Sequence, residues 1–487
     1  MTEQSNSQKV LKGVSTQTVI TILTGVVEIV GFSIMSRLLS QQDFGYYAAV
    51  TAVSAIFASF ADAGIGSAIV QRKNLDQKYI DNAFTLCLLF GLFGSSLLVV
   101  CSGPAARYVA DESMQVPLML VAITLLTGTL SSVFFSIMHR KLQFFAMGVI
   151  RISALIFTTI ISILLALKGL GYYAIIAKVI LYSIITLIVS FIASHTRCHL
   201  SFDMKTYKEI FGFSGWLQAS VFFRKIADQI DRLMMSSLFS VSILGMYSRP
   251  KEFINSMTGQ LTSIFDSALF PTLSSIQDDN ERIVRSYQSS LYYLNIVGLM
   301  ITFIFMFNSE LIIRIFLGEE WMNVNILFIV LSLSGICMVN GSLGDIYLRS
   351  LAFTKQQFYL RIVQAVTSAI LILLAARFGV LSVAVAYLTA YILVVLLKMR
   401  FIANNINYGI GNAIGVILRS MKLVLCYMPI YILCVFTIPN TIGGNILKLM
   451  VFCILSILVF LIYPSCVGAT YKKEMYSKVV RLLRLHN

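Results

Sequence analysis

The sequence has 487 residues, of which 58% are hydrophobic and 12% charged. A soluble domain carries about 25% charged residues, and a mean hydropathy of +0.84 over this length cannot be hidden in a core, because a soluble surface needs polar cover. The composition therefore excludes a soluble globular protein and predicts an all-α integral membrane protein, counted in spans rather than in soluble domains.

Taken in chain order, apolar runs of about 20 residues predict fourteen spans: 14–36, 46–69, 80–102, 115–137, 146–167, 171–193, 211–237, 248–272, 288–308, 322–347, 358–376, 380–398, 419–438 and 444–466. The polar start, Met1 to Gln8, precedes an apolar run too long for a signal peptide, so the first span is expected to be retained. The longest polar connection, 194–210, leaves no room for a catalytic domain outside the membrane, so the chain is not expected to be an enzyme. The motif GxxxxGK[ST] does not occur, which excludes a recognisable ATP motor of that class.

The charge of +15 comes from 37 Lys and Arg against 22 Asp and Glu. With a cytoplasmic N-terminus, 24 of those cations fall on inside segments, 6 on outside segments and 7 within or against spans. That bias obeys the positive-inside rule and predicts that both termini are cytoplasmic. The excess serves membrane orientation, and no nucleic-acid partner is expected. A basic tail over 471–487 is expected to anchor on anionic headgroups. The eight cysteines form no CxxC pair and the four histidines fall outside the predicted spans, so no metal site or cofactor is expected.

An internal repeat divides the chain. MSRLLSQQDFGYY (35–47) and MSSLFSVSILGMY (235–247) are identical at six of thirteen positions, with an offset of 200 residues. Two weaker echoes follow in order, KLQF at 141–144 with KQQF at 355–358, and Gly171 with Gly379. These predict a lobe over 1–200 with six helices and a second over 201–405 with six more. Helices thirteen and fourteen, within 406–470, lie outside the repeat. Six is even, so the lobes share one orientation and are related by an axis along the membrane normal, around a central cavity.

Ionised side chains at the bilayer centre cost about 2.5–3.5 kcal/mol each on insertion scales, so they face a cavity or a partner. The seventh span carries Arg224, Lys225, Asp228, Asp231 and Arg232. At about 100° per residue they form a stripe roughly 120° wide. The eighth places Arg249, Glu252, Asn255, Ser256, Gly259, Gln260, Ser263 and Asp266 on one face along nearly its whole length. Gln17, Thr21, Thr24 and Glu28 in the first span, and Thr51, Ser59 and Asp62 in the second, continue the pattern, with Arg151 and Lys178 in the fifth and sixth. Pairing between packed helices is the alternative reading for the seventh span, where Arg224 and Asp228 have the spacing of such a pair. A polar face crossing the whole membrane instead predicts a hydrated cavity walled by the first, second, seventh and eighth helices. Pro250 fits the first turn of the eighth helix and Pro271 its end.

These residues have a family likeness. SRLLSQQDFGYYAAV (36–50) followed by FADAGIGSAIVQR (60–72) resembles the opening of Wzx-like polysaccharide exporters, a branch of the multidrug/oligosaccharidyl-lipid/polysaccharide flippase superfamily. Asp228-Gln229-Ile230-Asp231-Arg232, Leu244-Gly245-Met246-Tyr247 and Phe270-Pro271-Thr272-Leu273-Ser274 are similar to the start of that family's second half. The resemblance implies flipping of undecaprenyl-diphosphate-linked oligosaccharide units from the cytoplasmic to the periplasmic leaflet of a bacterial inner membrane, for surface polysaccharide such as lipopolysaccharide or exopolysaccharide. It implies alternating access driven by a proton or sodium gradient, with membrane lipids around the chain and a polysaccharide polymerase and chain-length machinery downstream. Carried over residue by residue, it assigns Arg224, Lys225, Arg232, Arg249, Arg151, Lys178 and Gln260 to the substrate cavity. Glu28, Asp62, Asp228, Asp231, Glu252 and Asp266 would balance that charge or bind the coupling cation. A drug or cation antiporter of the same fold and a peptidoglycan-precursor flippase are the alternatives. A membrane-embedded polymerase or ligase is disfavoured by the short outside connections.

Overall fold

The computed structural model describes residues 2–61, 65–72, 75–109, 111–212 and 215–437, with isolated positions between 444 and 455. Among these, all regular structure is helical. The first lobe contains α1 (Thr2–Leu38), α2 (Gln41–Ala61), α3 (Ile65–Gln71), α4 (Gln77–Tyr108), α5 (Gln115–Arg140), α6 (Phe144–Leu167) and α7 (Tyr172–Ser194), and is followed by the short α8 (Met204–Gly212). The second contains α9 (Gly215–Leu238), α10 (Val241–Ser275), α11 (Asn280–Phe307), α12 (Ser309–Ile312), α13 (Asn325–Ser350), α14 (Thr354–Ala375) and α15 (Val380–Asn405). Helix α16 (Ile410–Thr437) packs on α11 outside the repeat.

The first thirteen predicted spans fall on these helices, the second being shared between α2 and α3. The fourteenth lies mostly outside the described residues, and the basic tail wholly so. Nine of the described helices are long and apolar enough to cross a membrane on those grounds alone. Neither α9 nor α10 is among them, because both carry the polar stripes read from the sequence. Outward-facing apolar side chains such as Val100, Ile192 and Leu374, 75%, 62% and 64% exposed, would be a liability in water and suit a lipid surround.

Both proline expectations fail. Helix α10 begins at Val241, capped by the Ser240 hydroxyl, which accepts from the Ile243 amide at 3.5 Å, so Pro250 sits in its third turn. The helix continues through position 271 to Ser275. Proline removes one amide donor, and a long helix packed along its length absorbs that loss.

Contacts between the lobes run through few elements. Helix α2 packs on α9 and α10, and α1 packs on α10 and on the turn that follows α12. The repeat shows why α2 and α10 can approach so closely. A Cβ on Gly45 would lie 1.8 Å from the Val241 carbonyl oxygen, and one on Gly245 would lie 1.8 Å from the Gln41 carbonyl oxygen. Gln41 and Val241 are themselves 200 residues apart, so the contact is reciprocal about the repeat axis and only glycine fits. Gly171 and Gly379 also correspond, each preceding a helix with positive φ, +53° and +96°. The KLQF echo is out of register. The left-handed turns are Leu142 (φ 56°) and Ala352 (φ 60°), which aligns Phe144 with Thr354 rather than with Phe358.

The segment joining the lobes is strapped to α4. The Asp203 amide donates to Asn82 Oδ1 (2.8 Å), the Ser201 amide to Thr85 Oγ1 (3.0 Å) and the His199 amide to Asp81 Oδ1 (3.0 Å). Lys78 closes the strap on Asp203 at 2.8 Å. That hydrogen bond, helped by the Thr206 hydroxyl, pulls the Asp203 carboxyl down to about 2. A depressed carboxylate contributes tethering above its ordinary pKa and loses it as pH falls through the depressed value. Hydrogen exchange of the 195–208 amides should therefore stay flat from neutral pH to about 4 and accelerate toward 2 after correction for intrinsic rates. Asp203→Asn should show the faster exchange already at neutral pH; unchanged exchange would mean that the backbone bonds alone hold the segment.

Candidate functional site

The polar residues of α1, α7 and α10 enclose a cavity of about 380 Å³ where the lobes meet. Its charged lining is Glu28 from α1, Lys178 from α7, and Arg249 and Glu252 from α10. Phe32, Met35, Phe44, Tyr47 and Phe253 supply the apolar walls. Helices α1, α2 and α10 were expected around such a cavity. Helix α9 was also expected and contributes no lining residue; α7 and Ser162 of α6 take that side.

Arg249 is the structural centre. It is 6% exposed, and its guanidinium lies 3.3 Å from the Phe32 ring centre and 3.9 Å from that of Phe44. Nη2 donates to the Phe32 carbonyl (2.7 Å) and Nε to the Ser36 hydroxyl (2.9 Å), both on α1. Nη1 meets Glu252 at 3.3 Å, and Glu252 also receives Arg232 of α9 at 3.3 Å. A planar fork with five donors and two faces can make all these contacts at once. The result is a continuous chain from α9 through α10 to α1. The seam continues at Trp321, whose indole donates to the Ser36 carbonyl (3.0 Å), and at Arg37, which donates to the Ile315 carbonyl (2.8 Å).

The other wall is less committed. Lys178 has no ion-pair partner among the described residues. Glu28 accepts only two long hydrogen bonds, from Ser256 and Gln260 at 3.4 Å each. Away from those two contacts the polar face of α10 opens: Gly259 and Ser263 are exposed, and Asp266 pairs with Arg349 within the second lobe. The face read as one stripe thus divides into a half sealed against α1 and a half that is not.

The remaining candidates are dispersed. Asp231 is fully buried inside the second lobe, bound by Lys251 and by the Tyr247 hydroxyl at 2.6 Å, and does not line the seam cavity. Arg224 and Asp228 are exposed on α9 and do not line the seam cavity, and no mutual ion pair joins them among the described residues. Lys225 is half-buried on the same helix. Arg151 lines a separate cavity within the first lobe. Asp62 lies outside the described residues, as does the side chain of Gln17.

Several buried charges were read differently in the sequence. Arg361 and Lys398, two of the 24 cations counted on inside segments, are 3% and 2% exposed and clasp Asp345 between α13, α14 and α15. Lys251, one of the seven cations counted within or against spans, is the partner of Asp231 and lies 3.9 Å from the Tyr387 ring centre. His139, placed outside the spans, belongs to the last turn of α5 and lines the first-lobe cavity. The described residues contain no cluster of three or more potential metal ligands.

The fold has known relatives. The chain is similar to the lipid II flippase MurJ in an inward closed conformation, with a TM-score of 0.70 at 16% identity over 94% of this chain and 99% of that one. It is also similar to a multidrug MATE transporter in an inward-facing conformation, with a TM-score of 0.59 at 13% identity over 80% and 94%. In sequence, it is 25% identical to a putative O-antigen transporter of Shigella flexneri over 63% of this chain and 77% of that protein. It is 22% identical to an uncharacterized membrane protein of the cps region of Klebsiella pneumoniae, over 86% and 90%. The model of a family described as polysaccharide biosynthesis protein matches residues 34–326. That match covers more than half of the sequence, carries both copies of the internal repeat and runs through the whole seam around Arg249, and the chain accordingly belongs to the polysaccharide biosynthesis protein family.

Proposed function

We propose that the chain is a flippase that carries undecaprenyl-diphosphate-linked oligosaccharide units from the cytoplasmic to the periplasmic leaflet by alternating access. The observation that carries this reading is the cavity built jointly by both lobes, with a cation on each wall, Lys178 and Arg249, and closed by helix contacts at one end. Sugar hydroxyls and a diphosphate cannot cross hydrocarbon without polar partners, each unsatisfied group costing several kcal/mol. The prenyl chain has no such need and stays in lipid. The O-antigen transporter among the relatives supports the same class of cargo. Because the cations concentrate on the segments opposite the seam, we place the seam end at the periplasm and both termini in the cytoplasm.

In this reading Arg249 holds the periplasmic seam and presents charge to the diphosphate, with Lys178 facing it. Arg232 acts through Glu252, and Gln260 through Glu28. Glu28 is the coupling carboxylate, because it lines the cavity with only long hydrogen bonds and can exchange them for a proton or sodium ion. Asp228 and Arg224 belong to the open half, where exposed charge at membrane depth needs water.

Arg249→Ala should abolish export in cells while the protein remains in the membrane, and Arg224→Ala should reduce it by less. Normal export by Arg249→Ala would remove the substrate assignment. In proteoliposomes, transport of a fluorescent prenyl-diphosphate oligosaccharide should collapse with a proton or sodium ionophore in the parent chain. Transport indifferent to both ionophores would remove the coupling.

A further inference from the structure

Among the described residues, the seam cavity is not the most spacious concavity. A wide-mouthed recess of about 880 Å³ opens on the first lobe, between α1, α3, α5, α6 and α7. That is within the roughly 300–1,000 Å³ of small-ligand sites. We propose that this recess is a saccharide subsite for a carboxylate-bearing sugar, with Arg151 as its anion contact. The proposal rests on the lipid-linked oligosaccharide reading and names where the sugars sit.

The wall chemistry suits a sugar. Thr124, Ser131, Ser132 and Thr186 each donate to a carbonyl of their own helix, at 2.6, 2.9, 2.7 and 2.7 Å. A hydroxyl that has spent its proton this way keeps acceptor lone pairs, so the recess offers acceptors to a ligand rich in hydroxyl donors. Tyr182 supplies a phenolic hydroxyl and an aromatic face.

The charge suits an acid. Arg151 is exposed into this space, its guanidinium 5.0 Å from the Phe135 ring centre. No carboxylate lines the recess, and none lies within ion-pair distance of Arg151 among the described residues. The ring braces one face of the guanidinium and leaves its edge donors available, the geometry that takes a carboxylate side-on. The seam cavity differs, since two cations there share their space with Glu28 and Glu252.

The two spaces adjoin. Val179 lines both, and Glu28 and Thr24 lie one turn apart on α1, one in each. From Lys178 to Thr186 the shared helix α7 rises about 12 Å. A diphosphate at Lys178 and Arg249 therefore places the attached sugars along α7 and into the recess. The single Arg151, with no carboxylate lining its recess, matches a sugar carboxylate.

Gly128 provides a direct test. It lines the recess and a Cβ there meets nothing within 4 Å, so a side chain at this position starts out into the open space. Gly128→Leu should lose export, whereas Gly411→Leu, on α16 with equally open surroundings, should not. For binding, the full chain carrying Ser132→Cys is alkylated with N-ethylmaleimide in nanodiscs, and the thiol at that site is followed by peptide mass. Digalacturonate should protect it at about tenfold lower concentration than maltose, the equivalent of ~1.4 kcal/mol. Arg151→Gln should erase that gap and leave maltose unaffected. Equal or absent protection by the two sugars, stronger protection by pyrophosphate, or normal export by Gly128→Leu would overturn the subsite. If Arg249→Ala still abolishes export in that event, the flippase reading stands without the recess; if both variants export normally, the flippase reading fails as well.

Discussion

Replacing Gly45 with alanine is expected to abolish export, and Gly245→Ala should do the same. One methyl group added at either position would lie 1.8 Å from a backbone carbonyl oxygen of the opposite helix. Real Cβ atoms do not approach carbonyl oxygens so closely, and a carbonyl inside a helix cannot swing aside as a side-chain end can. The two helices must separate by more than an ångström at the point where they cross. The contacts that depend on this separation are directional. Arg249 reaches the Phe32 carbonyl at 2.7 Å and Ser36 at 2.9 Å, and Trp321 reaches the Ser36 carbonyl at 3.0 Å. Hydrogen bonds of that length weaken steeply when stretched by an ångström. The variant should still fold, since the clusters around Tyr287 and Tyr347 in the second lobe and around Ile69 and Tyr79 in the first do not include the seam, but it should fail to close the seam.

Trp321 reports the outcome. It is 1% exposed and packs edge-on against Phe44 at 5.6 Å. In a Trp216→Phe background it is the sole tryptophan of the two in the sequence, so its emission should shift to the red in Gly45→Ala as the seam opens to water. Gly259→Ala, where a Cβ meets nothing within 4 Å, is the matched control and should export normally. Its helix should gain up to about 1 kcal/mol from the better helix former. Wild-type export and unshifted emission in Gly45→Ala would show that α2 and α10 need not meet during transport.

The repeat glycine was visible in the sequence, but its reason was not. Identity at positions 45 and 245 shows that glycine recurs, while the reciprocal carbonyl contact exists only once the two copies face each other. The helices themselves were legible because lipid imposes length and apolarity on each span separately. The polar stripe of α10 was legible for the same reason, as an exception to that demand. What a helical wheel cannot supply is the partner. Arg224 and Arg249 looked alike as cations within polar helices, yet one is exposed and the other is held between two rings. Arg361 and Lys398 fell near span ends, where a hydropathy window expects snorkelling cations. Their burial depends on Asp345, a single acid in the tenth predicted span that carried no pattern of its own. His139 was misplaced by two residues of helix, within the usual uncertainty of a helix boundary.

Asp345→Ala is the substitution expected to cost the most stability. The carboxylate receives Lys398 at 2.8 Å from α15 and Arg361 from α14, while its own helix is α13. Gln364 accepts from Arg361 at 2.7 Å and the Gly341 carbonyl from Lys398 at 3.3 Å, and among the described residues no second acid lies within ion-pair distance of the two cations. Removing the one anion leaves two buried cations with only neutral acceptors, and breaking a buried ion pair in this way costs about 3–5 kcal/mol. Thermal unfolding in detergent should show a large drop for Asp345→Ala and a smaller one for Asp345→Asn, which keeps a carbonyl acceptor. Replacing all three charges together, Asp345→Leu with Arg361→Met and Lys398→Met, should recover most of the loss, because the desolvation penalty disappears with the charges. Export by that stable triple variant separates the two roles the cluster can have. If it exports, the triad only fastens α13, α14 and α15; if it is folded but inactive, the charges are needed while the second lobe moves. A single Asp345→Ala variant as stable as the parent would mean that water reaches the cations, and that the second lobe is wet where its side chains look closed.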